Sequence, residues 1–257
     1  MAGPTTSAAV DDRGRLFTWG CDLVDDRPAG LGYEHNPATG IQLTPKIVDA
    51  LLLHRVVGVA LGDGFTLVVT DAGAIFSFGD GEGGALGHGS EEVEVLPRRI
   101  EVLAETGRRF VAVAAGYLHA LALTEEGHVY GWGDGIANGH GQGQRTPQLV
   151  TALAGKRVTL VYADRYSSCA VTIKGELHTW GGSGPIKCFH LGHGVATQQL
   201  TPKWVEALRH LKVVDVAICG IHMLVASADG AVWIFGGPGG RVRQPTPIPN
   251  LRVRTLP

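Results

Sequence analysis

The chain has 257 residues, of which 44% are hydrophobic and 38 are glycine, and its 22 basic residues nearly balance its 24 acidic ones. Basic residues cluster only in short groups such as Arg98–Arg99, which argues against nucleic acid as the principal partner because that binding needs concentrated positive charge. The longest apolar stretch, Val56–Leu61, falls far short of the roughly 20 residues of a membrane span.

The four cysteines and the N-terminus predict a soluble intracellular protein. Cys21, Cys169, Cys188 and Cys219 lie in different parts of the chain without C-x-x-C spacing, as expected for free thiols in a reducing compartment. The opening MAGPTTSAAVDD lacks the basic and apolar regions of a secretory signal. We expect the cytoplasm or nucleus, without excluding an organelle.

A short apolar strand that closes with an aromatic–glycine pair occurs five times. The copies are RLFTWG (15–20), AIFSFG (74–79), HVYGWG (128–133), ELHTWG (176–181) and AVWIFG (231–236). Each follows a turn glycine, and these glycines (14, 73, 127, 175 and 230) are 59, 54, 48 and 55 residues apart. A period near 50 residues indicates a solenoid, a propeller or an array.

Two further markers follow in the same order. The first is a loop motif, read as LGYE at 31–34, LGHG at 86–89, NGHG at 138–141 and LGHG at 191–194. The second is a proline-led segment, read as TPKIVDAL from 44, LPRRIEVL from 96, TPQLVTAL from 146 and TPKWVEAL from 201. Because three markers recur in the same order, they indicate a repeat whose glycines lie in turns.

One unit predicts four strands. Val56–Ala60 and Phe65–Thr70 have the β-branched and aromatic composition of strands, and a glycine turn connects the second to Ala74–Phe78. An edge strand is expected after Pro97, where the missing N–H is tolerated. The proline-led segments at 45–61 and 202–217 also fit an amphipathic helix, but the equivalent 147–161 fits it less well, so we predict at most a short helical turn there. Four strands in about 50 residues describe a propeller blade.

The markers resemble the regulator of chromosome condensation repeat family. The family's repeat consists of a strand, G-x-x-H, a second strand, an acidic–glycine turn, an aromatic–glycine pair and a glycine-rich loop. This order is present at 114–135 and less fully at 218–237. The resemblance implies an all-β protein, a β-propeller of about five four-stranded blades around a central channel. It forms one domain over 1–257, with units near 1–61, 62–114, 115–161, 162–217 and 218–257.

Two departures from the family leave the closure of the ring open. Family propellers usually have seven blades, and this chain has five hairpins. The spacing from Gly3 to Gly14 matches that from Gly62 to Gly73, so a strand before Gly3 is missing. Either a strand at Leu251–Leu256 completes the first blade, or the five blades form an arc of a larger propeller.

The sequence has only weak matches to motifs for catalysis or for binding a cofactor or metal. The pattern G-x-G-x-x-G at 79–84 is not followed by the helix that a dinucleotide site needs. Cys188, His190 and His193 lack the paired spacing of a zinc site, and the G-x-x-H position holds His119 and His222 but also Phe65 and Ser167. No nucleophile elbow is present. We expect no enzymatic activity, no cofactor and no metal.

Four acidic residues next to the aromatic–glycine pairs, Asp22, Asp80, Glu82 and Asp134, are predicted to lie together on one loop face and to bind a partner there. The tryptophans 19, 132, 180 and 233 are expected in the blade core, and Trp204 is off the pattern.

We predict a non-enzymatic interaction scaffold, a structural subunit of a larger assembly. The resemblance also implies two alternatives, an exchange factor for a small GTPase and the regulatory propeller of a multidomain ubiquitin ligase. The G-W-R-H-T motif of the family's photoreceptors is absent.

Overall fold

The computed structural model describes residues 3, 5–21, 23–24, 27–28, 30–34, 41–182, 189–195, 197–237 and 242–253. In this part of the chain, strands β1 to β21 are Thr6–Val10, Leu16–Cys21, Leu23–Val24, Arg27–Pro28, Ile41–Ile47, Val56–Leu61, Phe65–Thr70, Ile75–Gly79, Glu94–Arg99, Phe110–Ala115, His119–Thr124, Val129–Gly133, Gln144–Leu149, Val158–Asp164, Ser167–Thr172, Leu177–Gly181, Gln199–Trp204, Val213–Cys219, His222–Ser227, Ala231–Gly236 and Val242–Arg252. One helix, α1, is Glu101–Glu105, and 3₁₀ turns are Asp49–Leu51, Glu82–Gly84, Thr151–Leu153, Phe189–Leu191 and Glu206–Leu208.

The large sheets confirm the predicted blades. Four antiparallel sheets have four strands each, in the orders β6-β7-β8-β9, β10-β11-β12-β13, β14-β15-β16-β17 and β18-β19-β20-β21. We call these blades 2 to 5. Blade 1 has three strands, β1-β2-β5, and β3 pairs with β4 in a small separate ladder. Each of blades 2 to 5 takes its inner strand from the end of the preceding sequence unit, so these blades begin one strand earlier than the units.

Blade 1 lacks an inner strand in the described residues. Strand β1 pairs with β2 as β7 pairs with β8, so β1 is the second strand of its blade. Residues Leu251 and Arg252 belong to β21, the outer strand of blade 5, where Arg252 is paired with Ala231. The described part of the predicted closing strand therefore lies in the last blade and not in the first, and residues 254–257 lie outside the description.

The proline-led segments are outer strands followed by a short turn. Pro97 lies inside β9, which begins at Glu94 and not after the proline as predicted. The helical alternative is reduced to a single 3₁₀ turn after the outer strand of blades 1, 3 and 4 and to α1 after that of blade 2. No helix in the described residues is long and apolar enough to cross a membrane.

The hydrophobic core is divided into four clusters, one between each pair of neighbouring blades. The third residue of a second strand packs on the next blade: Leu67 lies with Phe110 and Trp132 of blade 3. Leu121 of blade 3 likewise packs with Val161 and Trp180 of blade 4. The clusters between blades 1 and 2 and between blades 4 and 5 repeat the arrangement. All six residues of β7, β11 and β15 are consequently buried.

Indole hydrogen bonds join the blades through the aromatic–glycine pairs. Trp132 Nε1 donates to the carbonyl oxygen of Ala85 at 2.7 Å, and Trp180 Nε1 donates to that of Ala137 at the same distance. Each acceptor is the residue directly before the loop motif of the preceding blade. A buried polar group costs free energy unless it is paired, so these bonds let a large ring with a polar atom lie in the core.

The predicted core position of the tryptophans holds for two of the four. Trp132 and Trp180 are fully buried. Trp19 and Trp233 are only half-buried. Trp19 is in blade 1, which has no preceding blade in the described residues to cover it, whereas Trp233 packs against the cluster between blades 4 and 5. Trp204, off the pattern in sequence, is on the outer strand of blade 4 and is 36% exposed.

The buried His119 is part of a blade contact, as the tolerance for Phe and Ser at its position indicated. Ser168 of the next blade donates its hydroxyl hydrogen to the Ala137 carbonyl at 2.9 Å. His119 Nε2 is 2.8 Å from the same hydroxyl oxygen and therefore donates to it. Burial lowers the pKa of His119 to about 4, so the neutral ring is the native form at neutral pH.

The glycine of each aromatic–glycine pair is required by a close backbone approach. Gly79 has a φ of +110°, and a Cβ there would lie 2.3 Å from the Gly64 carbonyl oxygen. Gly107 also has a positive φ, +65°, but a Cβ there would meet nothing within 4 Å. Substitutions at the two positions therefore separate the free-energy cost of the backbone conformation from that of the contact with a backbone oxygen.

We predict that Gly79→Ala destabilises the protein much more than Gly107→Ala. The positive φ alone costs about 1 kcal/mol, whereas the contact with a backbone oxygen at residue 79 raises the loss to at least about 3 kcal/mol. Urea unfolding followed by tryptophan fluorescence measures both. Equal losses in the two variants would contradict the role of the close approach.

We also predict an acid-labile contribution from His119. An unfolded histidine titrates near pH 6.5, so between that value and about 4 the unfolded state binds more protons and the free energy of unfolding falls as the pH is lowered. From pH 7 to pH 5 this residue accounts for about 2 kcal/mol. His119→Phe, which places in blade 3 the residue that blade 2 has at Phe65, is expected to remove that share of the loss. If the variant and the parent lose the same stability between pH 7 and 5, the assignment is wrong.

Candidate functional site

The loops that leave the inner strands and the third strands lie at the same end of the blades. The structure joins them directly: the N–H of Asp80 donates to the Gly64 carbonyl at 2.8 Å, and the N–H of Asp134 donates to the Leu118 carbonyl at 2.7 Å. We call this end the loop face. It comprises the inner loops 62–64, 116–118, 165–166 and 220–221 and the outer loops 80–93, 134–143 and the described part of 182–198.

The inner loops of successive blades are connected by hydrogen bonds. The N–H of Asp63 donates to the Tyr117 carbonyl at 3.4 Å, and the N–H of Tyr117 donates to the Arg165 carbonyl at 3.0 Å. At the next boundary, the N–H of Gly220 donates to the Asp164 carboxylate. The inner loops of blades 2 to 5 thus form a continuous row, and side chains 48 to 55 residues apart become neighbours.

Two tyrosines and an arginine form a cluster in this row. The Tyr117 and Tyr166 rings have centroids 5.5 Å apart. The Arg165 guanidinium lies 5.2 Å from the Tyr117 centroid and 5.5 Å from that of Tyr166, within the range of cation–π attraction. Arg165 is exposed and lies within reach of both rings, so the cluster presents a cation together with aromatic surface to solvent.

Carboxylates lie near the tyrosines of this cluster. The negative charge of Asp63 is the main cause that raises the pKa of the Tyr117 phenol, and Glu82 adds to the effect. Asp164 lies next to Arg165 in the chain and accepts the bond from Gly220. The face therefore combines aromatic surface, one cation and several carboxylates, and it is acidic around the cluster.

A cavity of about 510 Å³ opens beneath the cluster. The ends of β6, β10 and β14 line it, mainly with small apolar residues such as Ala60, Ala114 and Ala163, and Asp63, Tyr117 and Arg165 are at its border. Below, the Tyr162 hydroxyl donates to the Asp215 carboxylate at 2.7 Å across blades 4 and 5. The cavity lies against the inner strands, where the family resemblance predicts the central channel.

Three of the four predicted acidic residues are described by the structure, and they lie on the loop face. Asp80 and Asp134 begin outer loops at equivalent positions of blades 2 and 3, on the loop face. Glu82 is exposed on the same face, and its N–H donates to the Asp80 carboxylate at 2.9 Å. Asp22 lies outside the described residues. Their binding role stays a prediction.

Sequence reasoning missed the tyrosine–arginine cluster. Its members, Tyr117, Arg165 and Tyr166, occupy the two variable positions of the G-x-x-H motif, and blade 2 has Asp63 at the first of these positions. The signal was the variation itself inside an otherwise regular motif, since variable loop positions on a rigid scaffold often carry function.

The histidines of the loop motif have a local structural role. Ser77 donates its hydroxyl hydrogen to the Leu86 carbonyl, and His88 Nε2 lies 2.9 Å from that hydroxyl oxygen. Thr179 and His193 repeat the arrangement in blade 4. Cys188 lies outside the description, and the described residues contain no group of three or more residues suited to hold a metal.

Comparisons with known proteins place these features in a family. Two models of the regulator of chromosome condensation (RCC1) repeat match residues 72–123 and 110–142. Human E3 ubiquitin-protein ligase HERC2 is 34% identical over 237 residues, which cover 90% of this chain and 5% of that protein. Bovine secretion-regulating guanine nucleotide exchange factor is 32% identical over 249 residues, which cover 90% of this chain and 50% of that protein.

A solved structure has the same fold. The crystal structure of human WBSCR16 superposes with a TM-score of 0.81 at 26% identity, over 96% of this chain and 66% of that one. This chain thus spans half or less of the two curated relatives and about two thirds of the solved protein. The relatives support a protein-interaction role.

The markers, the blades and the matched repeats agree, and the chain belongs to the regulator of chromosome condensation (RCC1) repeat family.

Proposed function

We propose that this chain is a non-enzymatic interaction scaffold that binds a protein partner through its loop face. The observation that carries the proposal is the cluster of Tyr117, Arg165 and Tyr166, with carboxylates near its tyrosines. Tyrosine and arginine are enriched in the energetically dominant centres of protein interfaces, and charged residues at the rim steer partners. Inside the cell, in the cytoplasm or nucleus, such a chain would serve as a subunit of a larger assembly.

The geometry supports binding more than chemistry. Contact with two aromatic rings restricts the Arg165 side chain, so less of its conformational freedom would be lost on association than for an isolated arginine. The buried thiol of Cys169 has a raised pKa, which suits a core residue and not a nucleophile. Because carboxylates outnumber cations around the cluster, the complementary partner surface would present basic side chains, with an acidic group opposite Arg165.

The predicted residues Asp80, Glu82 and Asp134 fit the rim of this interface. Rim charges mainly change association rates and salt dependence, whereas the central aromatic and arginine residues control affinity. We therefore propose Tyr117 and Arg165 as the centre and assign the three carboxylates a steering role.

An exchange factor is the second candidate, favoured by the identity to the bovine secretion-regulating guanine nucleotide exchange factor over most of this chain. In that case the partner is a small GTPase, and binding weakens when nucleotide is added. The match to HERC2 favours a third, in which this propeller is the regulatory part of a ubiquitin ligase. All three candidates require a protein bound to the propeller, and they differ in the identity of that protein.

We predict that Tyr117→Ala and Arg165→Ala each reduce recovery of the partner at least tenfold, as expected when an interface centre loses 2 kcal/mol or more. The measurement is affinity purification of the tagged full-length chain from its native source at endogenous level, with partners quantified by mass spectrometry. Arg209→Ala is the matched control, because Arg209 is exposed in a loop at the opposite end of the blades.

The outcomes separate the candidates. A set of subunits in fixed ratio, lost in the two loop-face variants and kept in the control, supports the scaffold. Enrichment of one small GTPase that is released by added nucleotide would identify an exchange factor instead. Equal recovery from all variants would show that the loop face is not the interface.

A further inference from the structure

The turns between the second and third strands lie at the end of the blades opposite the loop face. Each turn has two variable residues followed by a glycine. In blades 1, 2, 3 and 5 at least one of the two is a carboxylate, and these are Asp12, Asp71, Glu125 with Glu126, and Asp229. Blade 4 has Ile173 and Lys174 at the same positions. Its turn therefore carries a positive charge where the other four carry a negative one.

A second repeated position places a cation on each side of this turn. The residue directly before the inner strand is basic in blades 2 to 5, as Arg55, Arg109, Arg157 and Lys212. In blade 4 the carbonyl oxygen of Arg157 accepts a hydrogen bond from the N–H of Ile173 at 2.8 Å. The stem of Lys212 lies against the glycine of the same turn, since a Cβ on Gly175 would be 2.6 Å from Lys212 Cγ. The turn of blade 4 thus lies between Arg157 and Lys212.

Blade 3 shows how the repeat balances the charge before its inner strand. Arg109 Nε lies 3.8 Å from Glu125 Oε2, and Glu125 is the first variable residue of the turn in the same blade. Blade 4 has Ile173 at that position, so Arg157 has no carboxylate there to pair with. The change from an acidic to an apolar residue leaves the cation of blade 4 uncompensated by its own turn.

We call Arg157, Ile173, Lys174 and Lys212 the basic patch. All four side chains are exposed, and Ile173 is 53% exposed. Among the residues that the structure describes, none of the three cations forms an ion pair, in contrast to Arg109 of blade 3. The patch therefore presents three solvated cations, around one apolar side chain, to an incoming anion.

The surroundings limit the size of that anion. The neighbouring turns carry carboxylates, Glu125 and Glu126 in blade 3 and Asp229 in blade 5. Glu176, which follows the turn of blade 4, lies 3.6 Å from Lys156 Nζ. An extended polyanion, such as duplex nucleic acid or an anionic membrane surface, would span several blades and meet these carboxylates. A short anionic segment contacts the basic patch alone.

We propose that the basic patch binds a short acidic segment of a partner polypeptide. The carboxylates of the segment pair with Arg157, Lys174 and Lys212, and Ile173 contacts the aliphatic part of its side chains. Exposed ion pairs each contribute little and are screened by salt, so the binding is weak and depends on ionic strength. The patch shares no residue with the loop face, and the failure of one surface is distinguishable from the failure of the other.

The probe is a short fluorescein-labelled peptide of consecutive glutamates, and a glutamine peptide of the same length is the uncharged control. Fluorescence anisotropy measures the binding of each peptide to the purified full-length chain. We expect the glutamate peptide to bind and the glutamine peptide not to bind. The affinity is expected to fall at least tenfold as the Debye length decreases from about 30 Å at 0.01 M salt to about 8 Å at 0.15 M.

Lys174→Glu is expected to lower the affinity for the glutamate peptide at least tenfold, because it replaces the central cation of the patch by an anion. Arg13→Glu is the matched control. Arg13 is exposed and has the same turn position in blade 1, so the charge change is the same, but it lies next to Asp12 and outside the patch. We expect this variant to bind the peptide as the parent does.

A second variant tests the patch without removing any of its cations. Ile173→Glu restores the carboxylate that blade 3 has at Glu125, where it pairs with Arg157 as Glu125 pairs with Arg109. It is expected to lower the affinity for the peptide at least tenfold as well. Thermal unfolding of each purified variant verifies that the chain remains folded.

The proposal is wrong if the glutamate and glutamine peptides bind equally or if neither binds. It is also wrong if Lys174→Glu and Arg13→Glu have the same affinity for the peptide. Tighter binding of duplex DNA, or of phosphatidylcholine vesicles containing phosphatidylserine, that is lost in Lys174→Glu would make an extended polyanion the occupant instead. Tyr117→Ala is expected to keep full peptide binding, and a loss in that variant would assign the peptide to the loop face.

Discussion

The structure depends on the burial of each second strand between two neighbouring blades. A single four-stranded sheet of this size has no interior of its own, and each cluster of buried side chains is drawn from two sheets, as where Leu121 of blade 3 packs on Val161 and Trp180 of blade 4. Stability is then the sum of nearest-neighbour contacts, as in other repeat proteins. The terminal blades gain one such contact where the interior ones gain two, which explains why the exposed apolar residues Leu224 and Ala9 lie in them.

The aromatic–glycine pair connects this core to the loop face. The aromatic residue fills the boundary with the preceding blade, and in blades 3 and 4 its indole N–H is bonded to a carbonyl there. The adjacent glycine lets the backbone of the inner loop approach, as Gly64 approaches Gly79. The next residue, Asp80 or Asp134, then begins the outer loop with its N–H bonded to that inner loop. Core packing thereby positions both sets of loops, and a rigid scaffold holds the tyrosine–arginine cluster.

Much of the fold could be predicted from the sequence because the responsible signals are local. Alternating apolar residues and turn glycines located the hairpins to within one or two residues, for example Phe65–Thr70, which is β7. The spacing of two glycines predicted that blade 1 would lack its inner strand, and the described residues contain none for it. The start of β9 at Glu94 was missed because proline was taken as the first residue of the edge strand, whereas an edge position tolerates it inside the strand.

The candidate site was harder to predict, because its members meet only across blades. Tyr117 and Arg165 are 48 residues apart, and their contact depends on the hydrogen bond between two inner loops. The burial of a tryptophan is equally nonlocal: Trp19 and Trp132 occupy the same position of the repeat, but only the second has a preceding blade to cover it.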